Sequence, residues 1–323
     1  MANNECLDLV DIAVLLNYEY ATTDERFRDT TLHEIAYPGQ ELRFLKFNPE
    51  ILPQDWNDNK RTWIALHWAN TRTDRPLPPT KGANVSSHFP LTDRQLETAF
   101  YQTRAVDSGA IFLLEIFFAL FPRSTELYIR HAPRGNEPGR AYTTSINNRT
   151  IVQDTLTEPK FSTVVCLPLR PQMTTVGTRP ETTHVYMEFR APDDAATSVL
   201  DMASMQFGEV GRGPREKGKM LVVLETRADY DERLLRFAGG VDVEQRQTVF
   251  LDKGYRDMYH ASLERAARKV KERWENRDTE KWCAHCGAPG PKFKCAGCGE
   301  AWFCGKEHQK MVWSFHKGYC NKG

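Results

Sequence analysis

The stretch 283–320 holds most of the side chains that could bind a metal ion. Six of the eight cysteines lie there, together with three of the nine histidines. Eight of these residues follow the spacing C-x2-C-x8-C-x2-C-x5-C-x3-H-x7-H-x3-C: Cys283, Cys286, Cys295, Cys298, Cys304, His308, His316 and Cys320. Thiolate and imidazole groups are preferred zinc ligands, and four of them close a tetrahedral site. The spacing therefore predicts two structural zinc ions, with no open position for a catalytic water.

Shorter spacings within this stretch predict the local backbone around the metal. Each C-x2-C step is a knuckle whose turn directs two sulfurs at one ion, and the following Gly287 or Gly299 can supply a positive φ. The last four ligands lie four apart in two pairs, as on one turn of helix. His285 interrupts the first knuckle, so we expect it to be exposed and not a ligand. The spacing leaves open whether the first four cysteines share one ion or the pairs alternate.

The rest of the sequence indicates a reducing compartment. The N-terminal residues 1–20 carry acidic side chains where a signal peptide carries basic ones. The strongest apolar run, at 109–121, is too short to span a bilayer and contains Glu115. We therefore expect an intracellular protein of the cytoplasm or nucleus, without membrane contact, whose clustered thiols bind metal and do not form disulfides. The two remaining cysteines, Cys6 and Cys166, are expected to be small buried hydrophobic residues.

The ligand string and the residues around it resemble the MYND zinc finger. Beyond the ligands, the match includes Phe303 just before Cys304, the pair His308-Gln309, Trp313 and the pair His316-Lys317. The resemblance covers about residues 283–320 and implies interleaved sites. One zinc is then held by Cys283, Cys286, Cys304 and His308, and the other by Cys295, Cys298, His316 and Cys320. Such a finger has little core of its own, so we expect chelation to unfold it while the upstream domain stays folded.

The same resemblance implies a function in protein interaction. MYND fingers bind proteins, often short proline-containing peptides, in a groove beside the C-terminal helix. Gln309 and Trp313 match the positions that contact such peptides, and they share one face of a helix expected over 306–316. Alternatively, Trp313 only packs against the zinc scaffold; the two roles are also compatible, since one ring face can pack while the other is exposed. We expect a zinc-binding recruiter of protein partners, acting in transcriptional or other regulation.

Nucleic acid is not the expected partner. Residues 281–323 contain seven lysines and two glutamates, but no helix there carries an arginine-rich reading face. The whole chain has no formal net charge, and its 40% hydrophobic content excludes wholesale disorder.

The fold class expected from the pattern is α+β, with a larger N-terminal α+β domain and a small C-terminal two-zinc finger. The expected organisation is an α+β domain over 1–250, an amphipathic connecting helix over 251–280 and the finger over 281–323. Apolar residues recur every three or four positions in the connecting helix: Tyr255, Tyr259, Leu263, Ala266, Val270 and Trp274. We expect this helix to dock on the body.

Within the larger domain, periodicity predicts several elements. Helices are expected over 93–104 and over 107–121, the second with Asp107 or Ser108 as N-cap. Strands are expected over the alternating or β-branched runs 126–132, 161–170, 184–190, 198–207 and 219–226.

One pair in this domain could serve catalysis. The segments HVYMEF and VLDMASMQFG resemble the His and Asp strands of transglutaminase-like and papain-like folds, which would make His184 a base and Asp201 its orienter. Those folds place a nucleophilic cysteine at a helix start, where this chain has Ser108, and Cys166 lies in a strand pattern. We therefore favour a protein that is not an enzyme. The alternative is an enzyme whose transglutaminase- or papain-like body is targeted by the finger.

Overall fold

The structure is a computed structural model that describes residues 6–24, 26–40, 42–43, 59–68, 85–87, 90–105, 109–133, 139–167, 173–192, 196–213, 219–247 and 253–320. The helices are α1 (Leu9–Thr23), α2 (Asp93–Arg104), α3 (Gly109–Phe118), α4 (Arg227–Phe237), α5 (Lys253–Glu275) and α6 (Lys306–His316). The strands are β1 (Cys6–Asp8), β2 (Thr30–Ala36), β3 (Arg61–Trp68), β4 (Ser86–Ser87), β5 (Glu126–Arg130), β6 (Ala141–Ser145), β7 (Arg149–Thr157), β8 (Ser162–Cys166), β9 (Met173–Val176), β10 (Glu181–Arg190), β11 (Thr197–Asp201), β12 (Val223–Thr226), β13 (Gly240–Gln247), β14 (Phe293–Lys294) and β15 (Trp302–Phe303). We call the residues before α5 the body and residues 283–320 the finger.

Three sheets build the described part of the body. The first is antiparallel, in the order β12-β11-β10-β7-β13. The second is mixed, in the order β4-β2-β3-β8-β9, with β3 and β8 parallel. The third has the order β1-β5-β6. Together with the helices, these sheets confirm the predicted α+β class.

A layer of helices carries the main core. Helix α3 reads GAIFLLEIFF, which is apolar on nearly every side, so it is buried between α1, α5 and the first sheet. Helix α1 is also apolar on most of its surface, and its N-cap Asp8 accepts hydrogen bonds from the amides of Val10 and Asp11. One contiguous cluster of buried side chains extends from these helices into the finger, where it includes Phe303 and Phe315. Body and finger therefore share a core.

Helix α5 links the two parts and packs against α1 and α3. Leu263, Ala266, Val270 and Trp274 are buried there, which confirms the expected docking of this amphipathic helix. At its C-terminal end, the ring of Trp274 lies 6.1 Å from that of Trp282, the residue before the first ligand of the finger. The packing of these two rings thus fixes the direction in which the chain enters the finger.

Several boundaries differ from the sequence-based expectation. The strand predicted over 198–207 ends at Asp201, because a side-chain oxygen of Asp201 accepts from the amide of Ala203 and turns the chain into the 3-10 helix Ser204–Gly211. The strand predicted over 219–226 begins only at Val223. The expected N-cap positions 107 and 108 lie outside the described residues. Among the described residues, every helix is too short or too polar to span a lipid bilayer.

Candidate metal centres

Two glycine turns shape the finger around its ligands. Gly287 has φ 75° and Gly299 has φ 68°, as the spacing predicts for the residue after each knuckle. Their amides donate to the carbonyls of Cys283 and Cys295, at 2.8 and 3.0 Å, which closes each knuckle. The sulfurs of each C-x2-C step are therefore presented on one side of a tight turn.

The first centre combines the first knuckle with the start of α6. Its ligand atoms belong to Cys283, Cys286, Cys304 and His308, and all lie within 4.8 Å of one another. The sulfurs of Cys286 and Cys304 are 3.8 Å apart, and Nδ1 of His308 is 3.3 Å from the sulfur of Cys283. A tetrahedron with zinc–sulfur bonds of about 2.3 Å has sulfur–sulfur edges of about 3.8 Å. The group therefore has the dimensions of a zinc site.

The second centre combines the second knuckle with the end of α6. It consists of Cys295, Cys298, His316 and Cys320, again with all ligand atoms within 4.8 Å. The sulfurs of Cys295 and Cys320 are 3.8 Å apart, and Nε2 of His316 lies 3.3 and 3.6 Å from the sulfurs of Cys295 and Cys298. The ligands thus fall into two interleaved groups, and the sequential grouping of the first four cysteines does not occur. The two Cys3His sites fit a two-zinc finger.

The chemistry of the crowded thiols also favours a cation. The pKa of Cys283 lies well below its ordinary value, because the thiols of Cys286 and Cys304 donate hydrogen bonds to its sulfur. The pKa of Cys286 is raised because its thiol hydrogen-bonds to Cys283 and its thiolate would be repelled by the neighbouring sulfurs. Only a positive charge among the three sulfurs allows all of them to ionise together. Zinc would supply this charge, and it would act here as a structural ion.

His285 is buried, so the expectation that it is exposed is wrong. Only 1% of the residue is accessible, and its Nε2 lies 3.1 and 3.2 Å from the carboxylate oxygens of Glu97 on α2. Glu97 also accepts a hydrogen bond of 2.8 Å from the buried guanidinium of Arg212. Burial alone would raise the pKa of Glu97, but His285 and Arg212 outweigh it and lower the pKa to about 2. The first knuckle is therefore anchored to an ionised carboxylate of the body.

Further contacts fasten the finger to the body and to α5. Arg273 on α5 donates to the carbonyl of Gly287 at 2.8 Å and to the carboxylate of Glu19 at 2.9 Å. A Cβ at Gly287 would lie 2.5 Å from the carbonyl oxygen of Val14 on α1, so only glycine permits this approach. The hydroxyl of Tyr319 donates to the carbonyl of His131 at 2.7 Å. These contacts fix the finger in one orientation.

A cavity of about 310 Å³ lies in the seam between the body and the finger. Asp11 and Arg130 of the body line it, together with Trp282, Trp302 and Phe315 on the other side. The side chains expected to bind a partner do not line this cavity, so that surface is separate from the seam.

Gln309 and Trp313 occupy one face of α6, as expected from their spacing. Trp313 is 44% exposed, and its ring centroid lies 5.9 Å from that of the ligand His316. One side of the indole therefore contacts the zinc scaffold while the rest stays open. Because α6 carries ligands of both centres, the exposed indole is held in a fixed direction.

His184 and Asp201, the candidate pair for the alternative enzymatic hypothesis, lie in a closed network of the body. His184 on β10 and Asp201 on β11 are brought together at 3.0 Å, and both side chains are fully buried. Tyr230 donates to the same carboxylate at 2.8 Å, and the amide of Gln206 lies 2.7 Å from Nδ1 of His184. Burial would raise the pKa of Asp201, but the contacts with His184, Tyr230 and an amide lower it. Both ring nitrogens are occupied, so the arrangement stabilises the sheet and offers no surface to a substrate.

We expect His184→Ala to lower the free energy of unfolding by about 2–3 kcal/mol, because it leaves the buried carboxylate of Asp201 short of a partner. Urea unfolding followed by circular dichroism measures this loss. His260→Ala is the control, since that side chain is 40% exposed on α5, and it should change stability by less than about 0.5 kcal/mol. Equal stability of the two variants would contradict the structural role of the network.

The two cysteines outside the finger differ from each other. Cys166 on β8 is buried, as predicted, and burial raises the pKa of its thiol to about 12. Cys6 is exposed, so the prediction of a buried side chain is wrong there, because Cys6 points to the opposite face of β1 from the buried Leu7. Cys166 lies in a different sheet from His184, and Ser108 lies outside the described residues.

Comparison with known proteins identifies one part of the chain. The family model described as MYND finger matches residues 283–320. Searches with the chain found no match among curated proteins or among solved structures. The matched residues begin and end at ligands of the two centres, Cys283 and Cys320.

Proposed function

We propose that the MYND finger of this chain recruits a partner protein by binding a short, proline-containing peptide along α6. MYND fingers generally mediate protein interaction, and the finger is present here with both Cys3His sites. The observation that carries the proposal is the 44% exposure of Trp313, a large apolar side chain that a folded protein usually covers. Exposed tryptophans at binding surfaces are frequent energetic hot spots.

The chemistry of α6 suits an extended peptide that contains proline. Proline residues favour the polyproline II conformation, which leaves the backbone carbonyls free and loses little entropy on binding. The indole of Trp313 can pack against a pyrrolidine ring, and the amide of Gln309, one turn away, can donate to a peptide carbonyl. His308 and His316 bind the ends of α6 to the two zinc centres, so this surface is organised before the peptide arrives.

The proposal is tested with an array of proline-containing ten-residue peptides, probed with the full zinc-loaded chain. For peptides that bind, Trp313→Ala should weaken affinity by about thirty-fold, the effect of losing a hot spot of about 2 kcal/mol. Isothermal titration calorimetry measures the change, and zinc content measured in parallel should stay at two ions.

Leu235→Ala is the matched control, because Leu235 on α4 is an exposed apolar side chain of the body, at 53% accessibility. Its affinity for the same peptides should equal that of the parent. Binding that survives Trp313→Ala would place the peptide surface elsewhere, and an array without any bound peptide would exclude this class of ligand.

A further inference from the structure

One acidic residue of the body reaches the first metal centre. Glu97 lies on α2, is 4% accessible, and contacts two histidines of the finger. It hydrogen-bonds to His285, and its Oε1 lies 3.6 Å from Nε2 of His308. Glu97 is separated from His285 by 188 positions in the chain. The contact therefore joins two distant parts of the protein at the edge of a metal site.

The ring of His308 is oriented so that the carboxylate faces its free nitrogen. Nδ1 points at the sulfur of Cys283, at 3.3 Å, which makes Nδ1 the ligand atom. With Nδ1 on a metal ion, the ring proton resides on Nε2, the atom that faces Glu97. The separation of 3.6 Å is longer than a hydrogen bond, so Glu97 acts on this N–H through its charge. A carboxylate that faces a ligating imidazole orients the ring and strengthens its donation to the metal.

The body holds this carboxylate in place from the opposite side. Arg212 is fully buried, and it contacts Glu97 at 2.8 Å and the hydroxyl of Thr98 at 2.9 Å. Arg212 also contacts Glu209 and the carbonyl of Lys219. The body thus holds Glu97 from the side opposite to the finger.

The second centre has no comparable support. Among the residues that the structure describes, no carboxylate forms an ion pair with His316. The two centres have the same ligand types but different surroundings, which makes the second centre an internal control for the first.

We propose that Glu97 is a positioning residue for the zinc ligand His308, so that the body completes the first zinc site. The partner in this interaction is the metal centre of the same chain, and the proposal is independent of any peptide on α6. The zinc ion of the first site is then bound by the finger and the body together, and its occupancy is coupled to the packing of α2.

Glu97→Gln tests the proposal in the full, zinc-loaded chain, since it removes the charge and keeps the shape. The protein is treated with a chelator and N-ethylmaleimide, and the modification of each cysteine is followed by peptide mass spectrometry. Loss of an outer carboxylate typically weakens metal binding by about ten- to hundred-fold. We expect Cys283, Cys286 and Cys304 to react at least about ten-fold faster than in the parent, with a smaller acceleration of Cys295, Cys298 and Cys320.

Glu115→Gln is the matched control, because Glu115 pairs with Arg149 at 2.6 Å inside the body and touches no ligand. It should leave both sets of cysteines at the parent rate. An unchanged rate at the first centre in Glu97→Gln would overturn the proposal, as would equal acceleration of the two centres, which indicates general destabilisation.

The variant His308→Cys provides a second background, which tests whether Glu97 acts through the imidazole of His308. In His308→Cys the first site has four thiolates and no ring N–H, and such a site still binds zinc. Because Glu97 also anchors His285 in the first knuckle, Glu97→Gln should then still accelerate cysteine modification, but by clearly less than in the parent background. An undiminished acceleration in this background would show that Glu97 does not act through His308.

Hydrogen exchange of the unmodified protein tests the coupling between zinc occupancy and α2 without any variant. Removal of zinc should speed amide exchange in α2 by about ten-fold or more, relative to the central strands β7 and β10 of the first sheet. Equal protection of α2 with and without zinc would contradict the coupling, even if Glu97→Gln does not fold.

Discussion

Removal of both zinc ions will unfold the finger and also lower the stability of the body. The finger contains one hairpin, whose strands β14 and β15 have two residues each, and one helix of 11 residues, α6. A helix of this length is too short to be stable alone. Zinc binding contributes about 10–16 kcal/mol in comparable small domains, and this free energy is folding free energy. From the sequence alone we expected the body to stay folded, and the shared core adds the expectation that it loses stability.

The loss of stability of the body follows from the apolar surface that the finger covers. Phe303, Val312 and Phe315 belong to the same buried cluster as α1, so an unfolded finger exposes apolar surface of the body. Uncovering the equivalent of two or three large side chains costs about 5 kcal/mol. For a chain of this size, that corresponds to a decrease of about 10 °C in the thermal midpoint.

Differential scanning calorimetry with and without a zinc chelator measures this shift, and readdition of zinc should reverse it. Cys286→Ser should reproduce part of the loss through the first site. Cys6→Ser is the control, since Cys6 is exposed and lies in β1, outside both centres. A body transition at the same temperature in zinc-free protein would mean that body and finger fold independently.

Arg273→Met will lower the free energy of unfolding by about 3–5 kcal/mol. Arg273 is 2% exposed and pairs with Glu19, whose side chain is fully buried on α1. Removing one partner of a buried pair leaves the other charge uncompensated, which is the costly case. Lys269 remains 3.0 Å from Glu19 but is itself 31% exposed, so it compensates only in part. The variant also removes a hydrogen bond to the carbonyl of Gly287 in the first knuckle.

Arg268→Met is the control on the same helix. Arg268 is 65% exposed and pairs with Glu264 one turn away, so its loss should change stability little. Chemical denaturation of both variants, at constant zinc, measures the difference. If the two variants unfold at the same denaturant concentration, Glu19 does not depend on Arg273, and the link between α1, α5 and the finger is weaker than its geometry indicates.

Local patterns predicted the finger well because its chemistry is local in sequence. A knuckle needs two cysteines three positions apart and a glycine after them, and both Gly287 and Gly299 adopt the expected positive φ. The helix expected over 306–316 is α6, since its ligands already have helical spacing. Upstream of the finger, the amphipathic period predicted α2 and α5 for the same reason.

Sequence patterns did not predict elements without a hydrophobic period, or contacts between residues far apart in the chain. Helix α1 was not predicted, because it is apolar on most sides and so has no polar face to reveal its period; its N-cap Asp8 was the available signal. Glu97 gave a weaker signal, as a charged residue beside the apolar face of α2. Its role depends on a contact with His285, which is 188 positions away in the chain, and a local sequence pattern does not reveal a contact of that separation.

The sequence by itself indicated two structural zinc sites, because ligand identity and short spacing specify that chemistry, and its resemblance to the MYND finger implied their interleaved grouping. The tertiary structure decided how the finger is held. It buried His285 against Glu97, placed Arg273 between Glu19 and Gly287, and closed His184 and Asp201 into an inaccessible network. Each of these outcomes depends on burial and on contacts between distant segments, which arise only when the whole chain packs.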